Sequence, residues 1–187
     1  MKNIFLLESD MATHSFFVPK KNTDSPFSIK IESGSWRWQR PESYSPVTFE
    51  LQSSDNNRKN FNFDICTFAS PFIIFSEKAW SALYDILNPI GIKFDIITQS
   101  KRKLFFGYYP LRYIQRGCLD LELSDYSVLP KGLIVREAVL KKSFINADYL
   151  FMIEESSSKI FVDEKFKKRV EEAGLNGFDF SYSVQLS

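Results

Sequence analysis

The chain has 187 residues, 44% of them hydrophobic and 25% charged, so it is long enough for a sizeable core and its composition is that of an ordinary globular protein. Lys and Arg number 24 against 23 Asp and Glu, a formal net charge of +1 that excludes a global basic field for nucleic acid or anionic lipid. Nineteen Phe and only seven Gly point to a core built from rings and argue against glycine-rich loops.

"NIFLLE" near the start reads as a short strand, and Glu8 and Asp10 interrupt its apolar run too early for a signal-peptide core. "FSIKIE" alternates, with Phe27, Ile29 and Ile31 on one face, and Ser33-Gly34 invites a turn into "SWRWQ". "VTFEL" repeats the alternation with Val47, Phe49 and Leu51 inward. "QSSDNNRKN" is a loop by composition, and "FNFDICTF" follows as a strand with Phe61, Phe63 and Ile65 on one face. Ser76 is a good helix N-cap with Glu77 behind it. Trp80, Leu83, Tyr84 and Leu87 then take the spacing of a buried helical face, and Asn88-Pro89 ends the helix before "GIKFDIIT" resumes as strand.

The middle is less regular. "KLFFGYYPLRYI" is extended, with Pro110 marking an edge or bulge, and "LDLELSDYSVL" alternates with Leu119, Leu121 and Leu123 together. "LIVREAVLKKSF" divides between strand at Ile134-Val135 and helix in "REAVLKK"; "YLFMI" reads as a buried strand. The close is clearest. Asp163 caps a helix whose Phe166, Val170 and Ala173 face inward, Gly174 takes the C′ position, and "GFDFSYSV" is the last strand. The fold class is therefore α+β, mostly antiparallel sheet with two main amphipathic helices, in a single domain spanning 1–187. The units around "IIFSEKAW" and "IFVDEKF" share a grammar that duplication or convergence would produce equally.

Chemistry is sparse. The one histidine, His14, has Asp10 and Ser15 close in sequence, but triads assemble from distant segments and no GxSxG elbow is present. Cys66 and Cys118 have no metal-type spacing and read as reduced thiols; no cofactor is expected, and neither GxGxxG nor GxxxxGK[ST] occurs. Asp120 and Glu122, two apart, could do acid–base work or sit on the solvated side of a strand. "SKRKLFFGYYPLRYIQR", from Lys101 to Arg116, interleaves cations with rings as single-strand binders do, although a charged turn beside core aromatics gives the same pattern. Trp36, Trp38, Tyr108, Tyr109, Arg112, Asp120, Glu122 and Asp125 are the candidate residues for a protein interface, since Trp, Tyr and Arg most often anchor one.

"VREAVLKKSFINADYLFMIEESSSKIFVDEKFKKRVEEAGLNGFDFSY" resembles the end of the bacterial polymorphic-toxin immunity family numbered eleven. The match lies in a hydrophobic segment before a short strand, the "IFVDEK" step into a helix, and the closing Gly174-Leu175-Asn176-Gly177-Phe178-Asp179-Phe180. "PFIIFSEKAW" and "IFLLESD" are similar to the family's central and N-terminal elements. The resemblance implies a cytoplasmic protein that binds and neutralises a cognate toxin by contact, with no catalysis, no membrane span, no nucleic acid and no cofactor. The alternative is a small nucleic-acid-binding protein or enzyme using Lys101–Arg116 or Asp120/Glu122.

Overall fold

A computed structural model describes residues 3–20, 29–32, 35–38, 46–130, 132–146 and 148–187. The first part runs β1 (Ile4–Leu6), β2 (Glu8–Ser9), β3 (Phe16–Pro19), β4 (Ile29–Glu32), β5 (Ser35–Trp38), β6 (Val47–Gln52), β7 (Ile65–Cys66), β8 (Ile73–Ser76) and α1 (Glu77–Leu87). Next come β9 (Gly91–Ile97), β10 (Phe105–Pro110), β11 (Tyr113–Ile114), β12 (Asp125–Leu129), β13 (Gly132–Glu137) and β14 (Val139–Leu140). The chain closes with β15 (Leu150–Ile153), β16 (Ser156–Asp163), α2 (Glu164–Glu172), β17 (Phe178–Asp179) and β18 (Ser183–Leu186). This is the α+β class expected, with antiparallel pairs dominant.

Two six-stranded sheets organise these elements, one in the order β3-β6-β9-β10-β8-β7 and the other β11-β15-β16-β1-β18-β14. The second is apolar on both faces. Phe5, Leu150, Met152, Ile160 and Val162 join the larger core with both helices and the first sheet. Their neighbours Ile4, Leu6, Phe151, Ile153 and Phe161 point the other way, into a smaller core closed by Leu119, Val135, Ala138 and Leu140. A strand covered on both sides reads as a continuous apolar run, which is why "IFLL" and "LFMI" do not alternate. By contrast β6 has one covered face, and Val47, Phe49 and Leu51 are buried between more exposed neighbours as expected. Cys66 lies in the larger core and Cys118 in the smaller, both as free thiols.

The helix ends follow their capping chemistry. The Ser76 Oγ accepts from the Ala79 amide at 3.1 Å, and an Asp163 carboxylate oxygen accepts from Phe166 at 3.0 Å. At the end of α2, Gly174 has φ +57. Its amide donates to Glu171 O at 3.0 Å, and that of Leu175 to Val170 O at 3.2 Å, the paired bonds of a Schellman stop. The helices lie against each other, and the Arg169 guanidinium forks onto the Asp85 carboxylate at 2.8 and 3.0 Å.

Several expectations are corrected. Tyr84 is half exposed, resting edge-on against Trp80, and Ile86 takes its place on the buried face of α1. Ala173 is the C-cap of α2 and is only partly buried. The strand in "FNFDICTF" shrinks to Ile65–Cys66, because Asp64 bonds by its amide to Asn176 O and by its carbonyl to the Ser76 amide. "GFDFSYSV" forms two short strands, broken where the Asp179 carboxylate accepts from the Ser181 amide at 2.8 Å. "LIVRE" is strand paired with β12 and Val139-Leu140 a second short strand beside β18, so pairing overrides the helical propensity of "REAVLKK". The expectation that Leu121 and Leu123 face inward with Leu119 also fails. Only Leu119 is buried, because residues 120–124 turn instead of extending. Phe27, Ser33 and Gly34 lie outside the described residues.

Candidate functional site

The turn after Leu119 creates the most distinctive surface. An Asp120 carboxylate oxygen accepts from the Glu122 amide at 3.1 Å, and the Ser124 amide donates to Asp120 O at 2.9 Å. Such a side chain-to-backbone turn competes successfully with strand and leaves Leu121 and Leu123 in solvent. Asp120 and Glu122 therefore do not share a strand face; they sit on this turn. A hydrogen bond from the Ser187 side chain, with help from nearby amides and Lys141, holds the Asp120 carboxyl below the ordinary carboxylate range.

β12 and β13 then rise as a two-stranded ribbon, Val128 paired with Leu133 and Leu129 with Gly132 at its tip. On its outer face Arg136 clamps Asp125, Nε at 2.7 Å from one carboxylate oxygen, and donates to Ser127 Oγ at 2.6 Å. Both charges of that pair are neutralised in place. Among the described residues, twelve large apolar side chains are exposed, and Leu121, Leu123, Val128, Leu129 and Ile134 are five of them. This concentration within one short stretch makes the ribbon and its foot the candidate recognition surface.

Between the ribbon and the turn lies a groove of about 690 Å³. Its apolar wall is Leu119, Leu121, Val128, Leu129 and Leu133. Its charged lining is Asp120, Glu122, Glu154 and Glu155 against Arg116 and Lys141. Glu155 is built into the foot: one carboxylate oxygen accepts from the amides of Gly117, at 2.5 Å, and Leu119, at 3.3 Å. Beside it, burial and then the Glu155 charge push the Cys118 thiol up to about 12.

The other sequence candidates fall elsewhere. Tyr108 and Tyr109 are core side chains, not surface anchors; the Tyr108 hydroxyl donates to Leu87 O at 2.9 Å and that of Tyr109 pairs with the Tyr113 hydroxyl at 2.8 Å. They are corrected to structural roles, because β10 is a central strand with covered faces. Arg112 lines a separate groove and donates to Asp148 O at 3.0 Å. Trp36 and Trp38 lie on β5, where the backbone register sets them opposite Ile31 and Ile29. The basic-aromatic segment does not form a stacking platform: Phe105, Tyr108 and Tyr109 are buried, and Lys103 pairs with Asp64 at 2.8 Å.

Nor does His14 assemble a triad. It lies 3.2 Å from Asp10, but the Ser15 hydroxyl is buried, donating to Arg58 O and accepting from the Asn60 amide. Among the described residues, no group of three or more His, Cys, Asp or Glu side chains is placed to hold a metal.

Residues 98–184 match the model of the Immunity protein family (Imm11). This is the family that the C-terminal resemblance pointed to. No curated protein matches the chain. The matched segment contains the turn, the ribbon and the whole groove lining, and it supports an immunity role. The two tryptophans lie outside it. Among the described residues, no helix is long and apolar enough to cross a membrane.

Sequence reasoning missed Leu121, Leu123, Val128, Leu129, Ile134, Glu154 and Glu155 as parts of this surface. A signal was present for some: "YSVLPKGLIV" carries two apolar runs around a Pro-Lys link with Gly behind it, a hairpin pattern.

Proposed function

We propose that this chain is an immunity protein that binds one cognate bacterial toxin by direct contact in the cytoplasm and neutralises it without chemistry of its own. The observation that carries the reading is the coincidence of the immunity-family segment with the exposed apolar ribbon and the acidic groove at its foot. An inhibitor needs complementarity and a rigid base rather than a nucleophile and a base, and this face offers the first pair. Asp120, Glu122 and Asp125 belong to the contact surface, and Trp36, Trp38 and Arg112 are candidates for its extension.

The reading expects an adjoining gene to encode a toxin domain, and the test is co-expression of the chain with that domain. Growth rescue and co-elution as a stable complex, burying on the order of 1,600 Å², support the reading. Rescue without any complex, or no rescue at all, would refute it.

A further inference from the structure

The groove beside the ribbon also specifies what it receives. We infer that it seats an extended, cationic segment of the toxin, with an apolar side chain of that segment held between Val128 and Leu121. This rests on the immunity reading and adds the chemistry of the partner to it.

Three observations converge. The chain as a whole is nearly neutral, at +1, so a charged surface must be local. The groove supplies one: Asp120, Glu122 and Glu154 line it against Arg116 and Lys141, with the Glu155 carboxylate held beneath by the amides of Gly117 and Leu119. Asp125, just outside, does not add to the negative field because Arg136 already pairs with it. The groove is therefore net negative, whereas the ribbon's outer face is balanced.

Second, the wall is apolar where the rim is acidic. Val128 is 73% exposed and Leu121 49%, side chains for which burial against a partner is favourable and solvent exposure is not. A segment that alternates Lys or Arg with Leu-type residues satisfies both features at once. A purely polar or anionic segment would satisfy neither.

Third, among the described residues β12 and β13 form a two-stranded sheet of their own. One face of the ribbon packs on the smaller core through Tyr126, Leu133 and Val135, and its Val128–Leu129 tip stays exposed. An extended segment can lie beside such a ribbon, adding to its edge by backbone pairing.

The experiment titrates the toxin domain identified by the co-expression test with the full chain at about 50 mM and about 300 mM salt, a range over which exposed charges become screened. Glu122→Lys and Val128→Ser are exposed positions whose substitution leaves the fold intact, checked by unfolding midpoint. Glu122→Lys should weaken binding about tenfold at low salt and flatten the salt dependence, acting mainly on the association rate. Val128→Ser should weaken binding about tenfold at both salt concentrations. Glu171→Lys, on the outer face of α2, serves as the control and should bind as the parent does. If the parent binds and both groove variants stay within about twofold of it, the inference falls while the immunity reading stands. If the parent does not bind at all, both fall together.

Discussion

Asp64 should be one of the costliest polar side chains to remove. It is 1% exposed and its carboxylate accepts three bonds: from Ser76 Oγ at 2.6 Å, from Lys103 Nζ at 2.8 Å and from the Asn176 amide at 2.9 Å. These tie the cap of α1, the turn before β10 and the loop after α2 to one point. Asp64→Ala would leave the Ser76 hydroxyl, itself fully buried, and the Asn176 amide without their acceptor. A buried group so orphaned costs about 1–3 kcal/mol, and Lys103, partly exposed, recovers some hydration. The sum is about 3–5 kcal/mol, a large share of a typical domain's stability.

The pH dependence gives an independent reading. Burial pushes the Asp64 pKa up, but the bonds from Lys103, Ser76 and Asn176 outweigh it and hold the folded value below the usual 3.8. A depressed folded pKa contributes stability that is complete above the unfolded value and disappears as pH falls through the folded one. Urea unfolding of the parent and of Asp64→Asn should therefore differ most near neutral pH and converge as pH falls through the depressed folded pKa, below the usual 3.8. A parent–Asn difference that is constant from neutral pH to that point, or an Ala variant within about 1 kcal/mol of the parent, would refute the argument.

Other substitutions test other parts. Gly107→Ala should prevent soluble expression or lower the unfolding midpoint severely, since the added Cβ would fall 2.1 Å from the Phe72 ring in the packed core. Tyr108→Phe should cost about 1 kcal/mol in urea unfolding, from the lost bond to Leu87 O, and leave toxin binding unchanged; a binding defect without a stability defect would return Tyr108 to the interface. Neither Cys66 nor Cys118 should react with a thiol reagent near pH 8 in the folded protein, because burial raises both thiols, and both should react in urea; rapid native labelling would contradict their burial.

Much of the fold is written locally. Ser76, Asp163 and Gly174 punctuate the two helices by side-chain and backbone chemistry that needs no tertiary partner, so capping rules find them. The alternation of β6 is equally plain. What local pattern cannot express is a sheet covered twice. Tyr108 and Tyr109 stand in a chain segment flanked by Lys and Arg, and only the packing of β8 and β9 on either side of β10 decides that both rings are inside. The candidate surface shows the opposite error. Asp120, Glu122 and Asp125 are identifiable by charge, but strand alternation would place the Leu residues between them in a core. The Asp120 side chain, by taking the Glu122 amide, turns the chain and exposes them instead.

The ribbon divides its labour along its length. At the foot, Leu119, Val135, Ala138 and Leu140 are buried in the smaller core, the Glu155 carboxylate holds the amides of Gly117 and Leu119, and Ser124 Oγ accepts from the Val139 amide at 2.9 Å. At the tip, Val128 and Leu129 are exposed and contribute little to the folded state. Foot substitutions such as Leu140→Ala should therefore cost about 2–5 kcal/mol, whereas changes at Val128 should stay within about 0.5 kcal/mol. A recognition surface built this way can change its side chains without losing its scaffold. On the proposed reading that separation lets specificity shift at the tip while the central sheet stays the same.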